Sequence, residues 1–292
     1  MEIQNVKLVC VVGAGTMGKQ IALNAAINKF NVNLVERLDE KIQGTKNWIK
    51  DYLQSKVDKG RIEQKEMDDI LNRMQFFSRV RDGAMEADIV IEAITENKKE
   101  KEELFRELNK IVKKDTVIAT NSSYICSSCF VDLVDNPGRL ANLHYFNPAL
   151  VMDLVEIVQG EHTSTETIQL LMDYAKKVNK SPVLIKKEIE GFIVNRISRA
   201  INYEAFYLLE NGIASIEDID YAIEKGLNHP MGPFKLQDFT GIDIAYLTAE
   251  RIYKETNYKR PGYNLLKEKY ESGEIGRKVS KGWYDYSKEN SH

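Results

Sequence analysis

Four histidines occur in the chain. One of them, His144, is followed twelve positions later by Glu156, in the stretch His144-Tyr-Phe-Asn-Pro-Ala-Leu-Val-Met-Asp-Leu-Val-Glu156. A histidine near its natural pKa suits removal of a proton from an alcohol. The ring must also be held in one tautomer, a task that a carboxylate on its other nitrogen performs. Apolar runs at 140–146 and 153–158 flank a loop near Leu150. Paired as an antiparallel hairpin, they oppose residues whose numbers sum to 300, as those of His144 and Glu156 do. A slip of one residue would put the two on opposite faces. The plainer reading is a hairpin with a buried histidine and a strand-edge glutamate, and the residues alone leave both open. His162 lies in a polar loop, His292 is terminal, and His229, in Asn228-His-Pro-Met-Gly-Pro233, reads as a turn residue.

A second constellation is Gly13-Ala-Gly15-Thr-Met-Gly18, which closes one apolar run and opens a helical pattern. Glycines so placed permit a tight turn, close approach of backbone to a pyrophosphate, and close helix packing, while the helix N-terminus supplies amide donors. A further apolar run ends in Val35-Glu36, eighteen residues beyond Gly18. A carboxylate there binds ribose hydroxyls and repels a 2′-phosphate, which favours NAD over NADP, although Arg37 beside it could meet such a phosphate. The motif is equally compatible with an NAD sensor that performs no chemistry.

These residues need elements to hold them. Apolar runs at 6–12, 31–35, 87–93 and 116–121 alternate with charged, periodic segments at 40–59 and 98–113. That is the pattern of a parallel sheet covered by helices on both faces. Further strands are expected at 140–146, 153–158 and 182–186. Beyond residue 188 strand signals stop, a long helix is expected over 192–209, and Ser215-Ile-Glu-Asp218 resembles a capping box. The expectation is an α/β chain: a Rossmann-type doubly wound, mostly parallel sheet over 1–187, then a smaller all-α domain over 188–292.

With 292 residues, 43% of them hydrophobic, the chain suits two cores. Its 41 basic and 44 acidic side chains give a net charge of −3, without the basic surplus that nucleic-acid binding usually requires. No signal peptide and no bilayer-length apolar run is read, so a cytoplasmic protein without a membrane partner is expected. The three cysteines are too few for a disulfide framework. Cys126-Ser-Ser-Cys129 has redox spacing but lacks the thioredoxin-like context and the further ligands of a metal site, so no metal is expected.

In this order the motifs resemble the L-3-hydroxyacyl-CoA dehydrogenases, in particular the bacterial 3-hydroxybutyryl-CoA dehydrogenases, over nearly the whole length. They comprise the glycine loop, Val90-Ile-Glu-Ala93 with Glu96-Asn97, Asn121-Ser-Ser123, His144-Tyr-Phe-Asn-Pro148, Asp153-Leu-Val-Glu-Ile157, Gly191-Phe-Ile-Val-Asn-Arg196, His229-Pro-Met-Gly-Pro233 and Gly282-Trp-Tyr-Asp-Tyr286. The resemblance implies reversible hydride transfer between NAD and C3 of a short-chain acyl-CoA. His144 would be the general base and Glu156 its partner, with Ser123 and Asn195 near the reacting oxygen.

It also places Gly13, Ala14, Gly15, Thr16, Met17, Gly18, Glu36, Glu96, Lys101, Ser123, Asn147 and Lys278 at the cofactor and Lys59 at the CoA portion. Taken alone, Lys101 belongs to a solvated helix start. A homodimer is implied through the helical domain, where Phe206, Tyr207, Leu208 and Leu209 offer more apolar surface than one layer buries. The surroundings depart from the family at Tyr52, Tyr124, Leu150, Glu190 and Val279-Ser280. A same-fold dehydrogenase of another 3-hydroxy acid, and a noncatalytic NAD-binding protein, are the other readings.

Overall fold

The computed structural model describes residues 1–288, so His292 lies outside them. Apolar runs become strands β1 (Leu8–Val12), β2 (Asn31–Val35), β3 (Met74–Phe77), β4 (Ile89–Glu92), β5 (Val117–Thr120), β6 (Leu140–Tyr145), β7 (Leu154–Val158) and β8 (Ser181–Ile185). They form one sheet in the order β3-β2-β1-β4-β5-β6-β7-β8. Every neighbouring pair is parallel except β6 and β7.

Helices α1 (Thr16–Ile27), α2 (Asp39–Asp58), α3 (Gln64–Asn72), α4 (Val80–Ala84), α5 (Lys98–Ile111) and α6 (Thr165–Lys177) complete a first compact unit, Met1–Phe192. Side chains alternate between the two faces of a strand, and the central strands bury both. Val9, Val11, Ile89, Ile91 and Ala119 pack with Ile21 and Leu23 of α1 and with Leu171 and Tyr174 of α6. Cys10, Val12, Val90 and Ile118 point the other way, onto Leu104, Phe105 and Leu108 of α5. Caps fix where the helices begin: Asn97 accepts from the Lys99 and Glu100 amides at α5, and Ser164 from the Thr167 amide at α6.

The second unit, Ile193–His292, contains α7 (Val194–Glu210), α8 (Ile216–Gly226), α9 (Pro233–Thr240), α10 (Ile242–Thr256) and α11 (Tyr263–Glu271). The helix expected from residue 192 starts two residues later, because Gly191 and Phe192 take positive φ of 78° and 52°. Ser215 does cap α8, its oxygen accepting from the Asp218 amide. Phe206, expected with the surplus apolar surface, is core: it packs edge-on against Phe234 and Trp283, with ring centroids 5.5 and 5.7 Å away.

Two buried aspartates organise this unit. Asp220 of α8 accepts from the Phe234 and Lys235 amides, both at 2.9 Å, and so caps α9 across space; the Tyr284 hydroxyl also donates to it. Asp238 accepts from the Trp283 and Tyr284 amides and the Tyr286 hydroxyl, at 2.8, 3.0 and 3.0 Å, and so holds the Gly282-Trp-Tyr-Asp-Tyr286 motif in place.

Candidate active site

Strand order reverses between β1 and β4, the point at which open α/β sheets bind ligands beyond the carboxyl ends of their strands. A cleft lies there. One part of it, about 200 Å³, is lined by Gly13, Gly15, Glu36, Arg37, Val80 and Ile94, among others. A second part of about 440 Å³ shares Gly15, Ala93, Ile94 and Thr95 with it and runs past Thr16, Met17, Glu96 and Asn121 to Ser123 and Tyr124.

The glycine loop forms the floor, and each glycine answers a different demand. Gly13 has φ of 104°, and a Cβ on it would stand 2.6 Å from the Ala93 carbonyl oxygen. At Gly18 a Cβ would meet the Gly13 carbonyl oxygen at 1.8 Å, whereas at Gly15 it would meet no protein atom within 4 Å. The first two thus permit loop–strand and helix–loop contact, and the third keeps backbone open beside the cleft. Gly15 is the N-cap of α1 and makes no side-chain cap bond, which leaves the helix N-terminus available to an anion. Glu36, at the end of β2, is held towards the loop by the Ala14 amide at 3.2 Å.

Beside Ser123, His144 and Glu156 are direct partners across β6 and β7. The Nδ1 atom of His144 lies 2.9 Å from Glu156 Oε2, and its Nε2 atom 2.9 Å from Ser123 Oγ. Both members of the pair are almost wholly buried, with 4% of His144 and 1% of Glu156 exposed. With Nδ1–H donating to the carboxylate, Nε2 is an acceptor and the Ser123 hydroxyl its donor. Phe146 and Phe192 pack their rings against the imidazole at 4.6 and 5.3 Å, restricting its rotation. Leu150 tucks the hairpin loop against the core beside α1, its amide reaching Gln20 Oε1 at 3.4 Å.

A buried polar network supports the cleft wall. Lys101 is 1% exposed, not solvated as its charged sequence neighbourhood suggests, because β4 sets Glu92 beneath it. Its Nζ lies 2.5 Å from Glu92 Oε1 and 3.3 Å from Glu96 Oε2. Thr120 Oγ1 donates to Glu92 Oε2 at 2.6 Å and accepts from the Ser122 amide, while the Ser122 hydroxyl bonds Glu96. Burial drives the Glu92 carboxyl above the ordinary range, and Lys101 opposes that shift. Glu92 and Ser122 lie inside two of the motifs that carry the resemblance but were given no role by sequence; each reads only as a polar residue inside or just after an apolar strand.

The remaining expected residues are scattered. Asn147 is exposed and precedes Pro148 through a cis peptide, and Lys59 is exposed at the C-cap of α2. Tyr52, on the same helix, stacks on Trp48 with ring centroids 5.6 Å apart. Asn195 stands in the first turn of α7, and Lys278 pairs with Asp243 at 2.6 Å, both within the second unit. Glu190 immediately precedes Gly191 at the close of the first unit. Cys126 and Cys129 are free thiols. Burial, then the charge of Glu188, pushes the Cys126 thiol up to about 12, which leaves it protonated and a poor nucleophile at neutral pH.

Comparison with known proteins decides the family. Residues 8–189 match the model of the 3-hydroxyacyl-CoA dehydrogenase NAD binding domain, and 191–286 that of the 3-hydroxyacyl-CoA dehydrogenase C-terminal domain. The chain belongs to the 3-hydroxyacyl-CoA dehydrogenase family. It is 35% identical to a probable 3-hydroxybutyryl-CoA dehydrogenase of Bacillus subtilis over 289 residues, 98% of this chain and 99% of that one. The crystal structure of (S)-3-hydroxybutyryl-CoA dehydrogenase PaaH1 from Ralstonia eutropha matches with a TM-score of 0.88 at 34% identity, over 97% of this chain and 100% of the other. A diketoreductase structure, described for dual catalysis of dicarbonyl compounds, matches with the same TM-score at 25% identity, over 96% of this chain and 99% of that one. As the family's NAD-binding domain implies, the cofactor of this dehydrogenase is NAD, and the glycine loop, open α1 terminus and Glu36 fit it. No helix among the described residues is long and apolar enough to cross a membrane.

Proposed function

We propose that this dehydrogenase reversibly oxidises a short-chain L-3-hydroxyacyl-CoA to the 3-ketoacyl-CoA, with His144 as general base. The observation that carries this reading is one imidazole held between Glu156 and Ser123, a serine that lines the cleft. Bound NAD supplies the hydride acceptor. Nε2 of His144 takes the substrate hydroxyl proton, and Glu156 stabilises the imidazolium that results. Ser123 and Asn195 align the reacting oxygen and favour the charge that develops on it. Gly13 through Gly18, with Glu36, Glu96, Lys101, Ser123, Asn147 and Lys278, form the NAD site. Because Lys101 is buried against Glu92 and Glu96, it acts by fixing the wall that carries Glu96. Lys59, a cation exposed at the end of α2, serves the phosphates of CoA.

His144→Gln is expected to keep NADH affinity while lowering turnover of acetoacetyl-CoA by about 10²–10⁴-fold. Steady-state kinetics and NADH titration check this, and unchanged turnover would remove His144 from the mechanism. A second reading, favoured by the similarity to a diketoreductase, is a substrate without the CoA carrier; comparing turnover of acetoacetyl-CoA with that of free 3-keto acids separates the two. The exposed Ile197, Tyr207, Ile213, Tyr221 and Leu227 of the helical unit support a homodimer. Three free cysteines accord with a cytoplasmic enzyme.

A further inference from the structure

Ser123 stands in a loop that leaves β5, whereas His144 stands on β6, so something must fix the distance between them. Asn142 lies two residues before His144 and therefore on the same face of the strand. It is completely buried, with 0% exposure. Its Oδ1 accepts from the Ser127 amide at 2.8 Å, and its Nδ2 donates to the carbonyls of Ser122 and Ile125, at 3.3 and 3.0 Å. One amide group thus grips the loop on both sides of Ser123. Asn121 adds a tie of its own, its side-chain oxygen accepting from the Tyr145 amide at 2.9 Å. At the far end, the Ser127 hydroxyl meets His162 Nε2 at 3.1 Å and donates to Glu188 at 2.9 Å.

We propose that Asn142 is a positioning residue for the reaction: it references the Ser123 loop to the strand that carries His144, and so sets the separation of Ser123 Oγ from Nε2. The inference rests on the assignment of Ser123 to the reacting oxygen. The fold does not need this side chain to pair β5 with β6, because their ladder is made by backbone atoms. Buried amides that satisfy all their partners rigidify what they join, and displacement of a group by about 1 Å costs up to about 10²-fold in rate.

A double-mutant cycle tests the inference, with kcat for acetoacetyl-CoA and the KM for NADH measured in wild type, Asn142→Ala, Ser123→Ala and the double variant. Asn142→Ala is expected to lower kcat by about 10-fold or more, with a smaller change in the KM for NADH. In the Ser123→Ala background the same substitution should cost nothing further, since no hydroxyl remains to be positioned. Asn142→Leu keeps about the same volume without burying a charge, leaves the Ser127 amide and the two carbonyls without their side-chain partner, and should share the kcat loss. It also serves as the test if Asn142→Ala fails to fold. Equal factors in both backgrounds, or unchanged kcat in the Asn142 variants, would overturn the positioning role alone. Unchanged kcat in Ser123→Ala would instead overturn the assignment of Ser123, and this inference with it.

Discussion

The β6–β7 hairpin and the helical unit both bury carboxylates, yet the partners given to them differ in kind. Asp220 and Asp238 are each met by two backbone amides and a tyrosine hydroxyl, groups that do not titrate near neutrality. Each therefore works as a fixed bracket for chain segments distant in sequence. Glu156 instead faces an imidazole whose second nitrogen bonds Ser123, which lines a cleft. Burial alone does not distinguish scaffold from chemistry. The nature of the partner does, because a carboxylate against imidazole can follow a change of charge that one against amides never meets.

The largest effect that could break this contrast is on rate. Glu156→Gln should lower kcat by about 10²–10⁴-fold through loss of the imidazolium partner and of the fixed tautomer, with a melting temperature close to wild type. Steady-state kinetics beside thermal unfolding would show whether that holds; a large melting shift with little rate loss would make Glu156 a bracket like the other two. Asp238→Ala comes next. It strands the Trp283 and Tyr284 amides and should cost about 3 kcal/mol of stability or more, read from urea unfolding. A loss within experimental scatter would show that the final aromatic motif holds itself.

The smallest effect concerns His162, half-buried beside Ser127 and Glu188. Burial lowers its pKa, and Glu188 only partly offsets this. The unfolded chain therefore binds the proton more readily, so this contribution to stability is present above the unfolded value of about 6.5 and is lost progressively as pH falls from there through the lower folded value. Wild type should lose about 2 °C or less of melting temperature on this account between pH 7.5 and 5.5, and His162→Asn should lack that part. Identical pH profiles would remove His162 from the acid sensitivity of the fold.

Much of this was legible in advance, for identifiable reasons. The central strands announced themselves because both faces are buried, so most of their residues are apolar, and β2 spans 31–35 as read. The hairpin register, taken about a loop near Leu150 and open to a one-residue slip, is the one observed: β6 and β7 pair with His144 opposite Glu156. β3 went unread: four residues, Met-Gln-Phe-Phe, are too short for a periodic signal, and they are a strand only because β2 offers them an edge. Lys101 and Phe206 were misplaced for a related cause. A lysine among charges looks solvated until a strand puts Glu92 beneath it, and a phenylalanine in an apolar stretch looks surplus until Phe234 and Trp283 close around it.

By itself the sequence determined the α/β order, the glycine loop and its distance to Glu36, and the spacing that lets His144 face Glu156. These depend on local periods and short turns, which are written in neighbouring residues. Only the tertiary structure decided that Asn142 grips the Ser123 loop, that Glu92 lies under Lys101, and that Asp220 caps a helix other than its own. Those bonds join residues brought together by the fold, and a polar residue in sequence carries no mark of which distant partner will satisfy it once water is excluded.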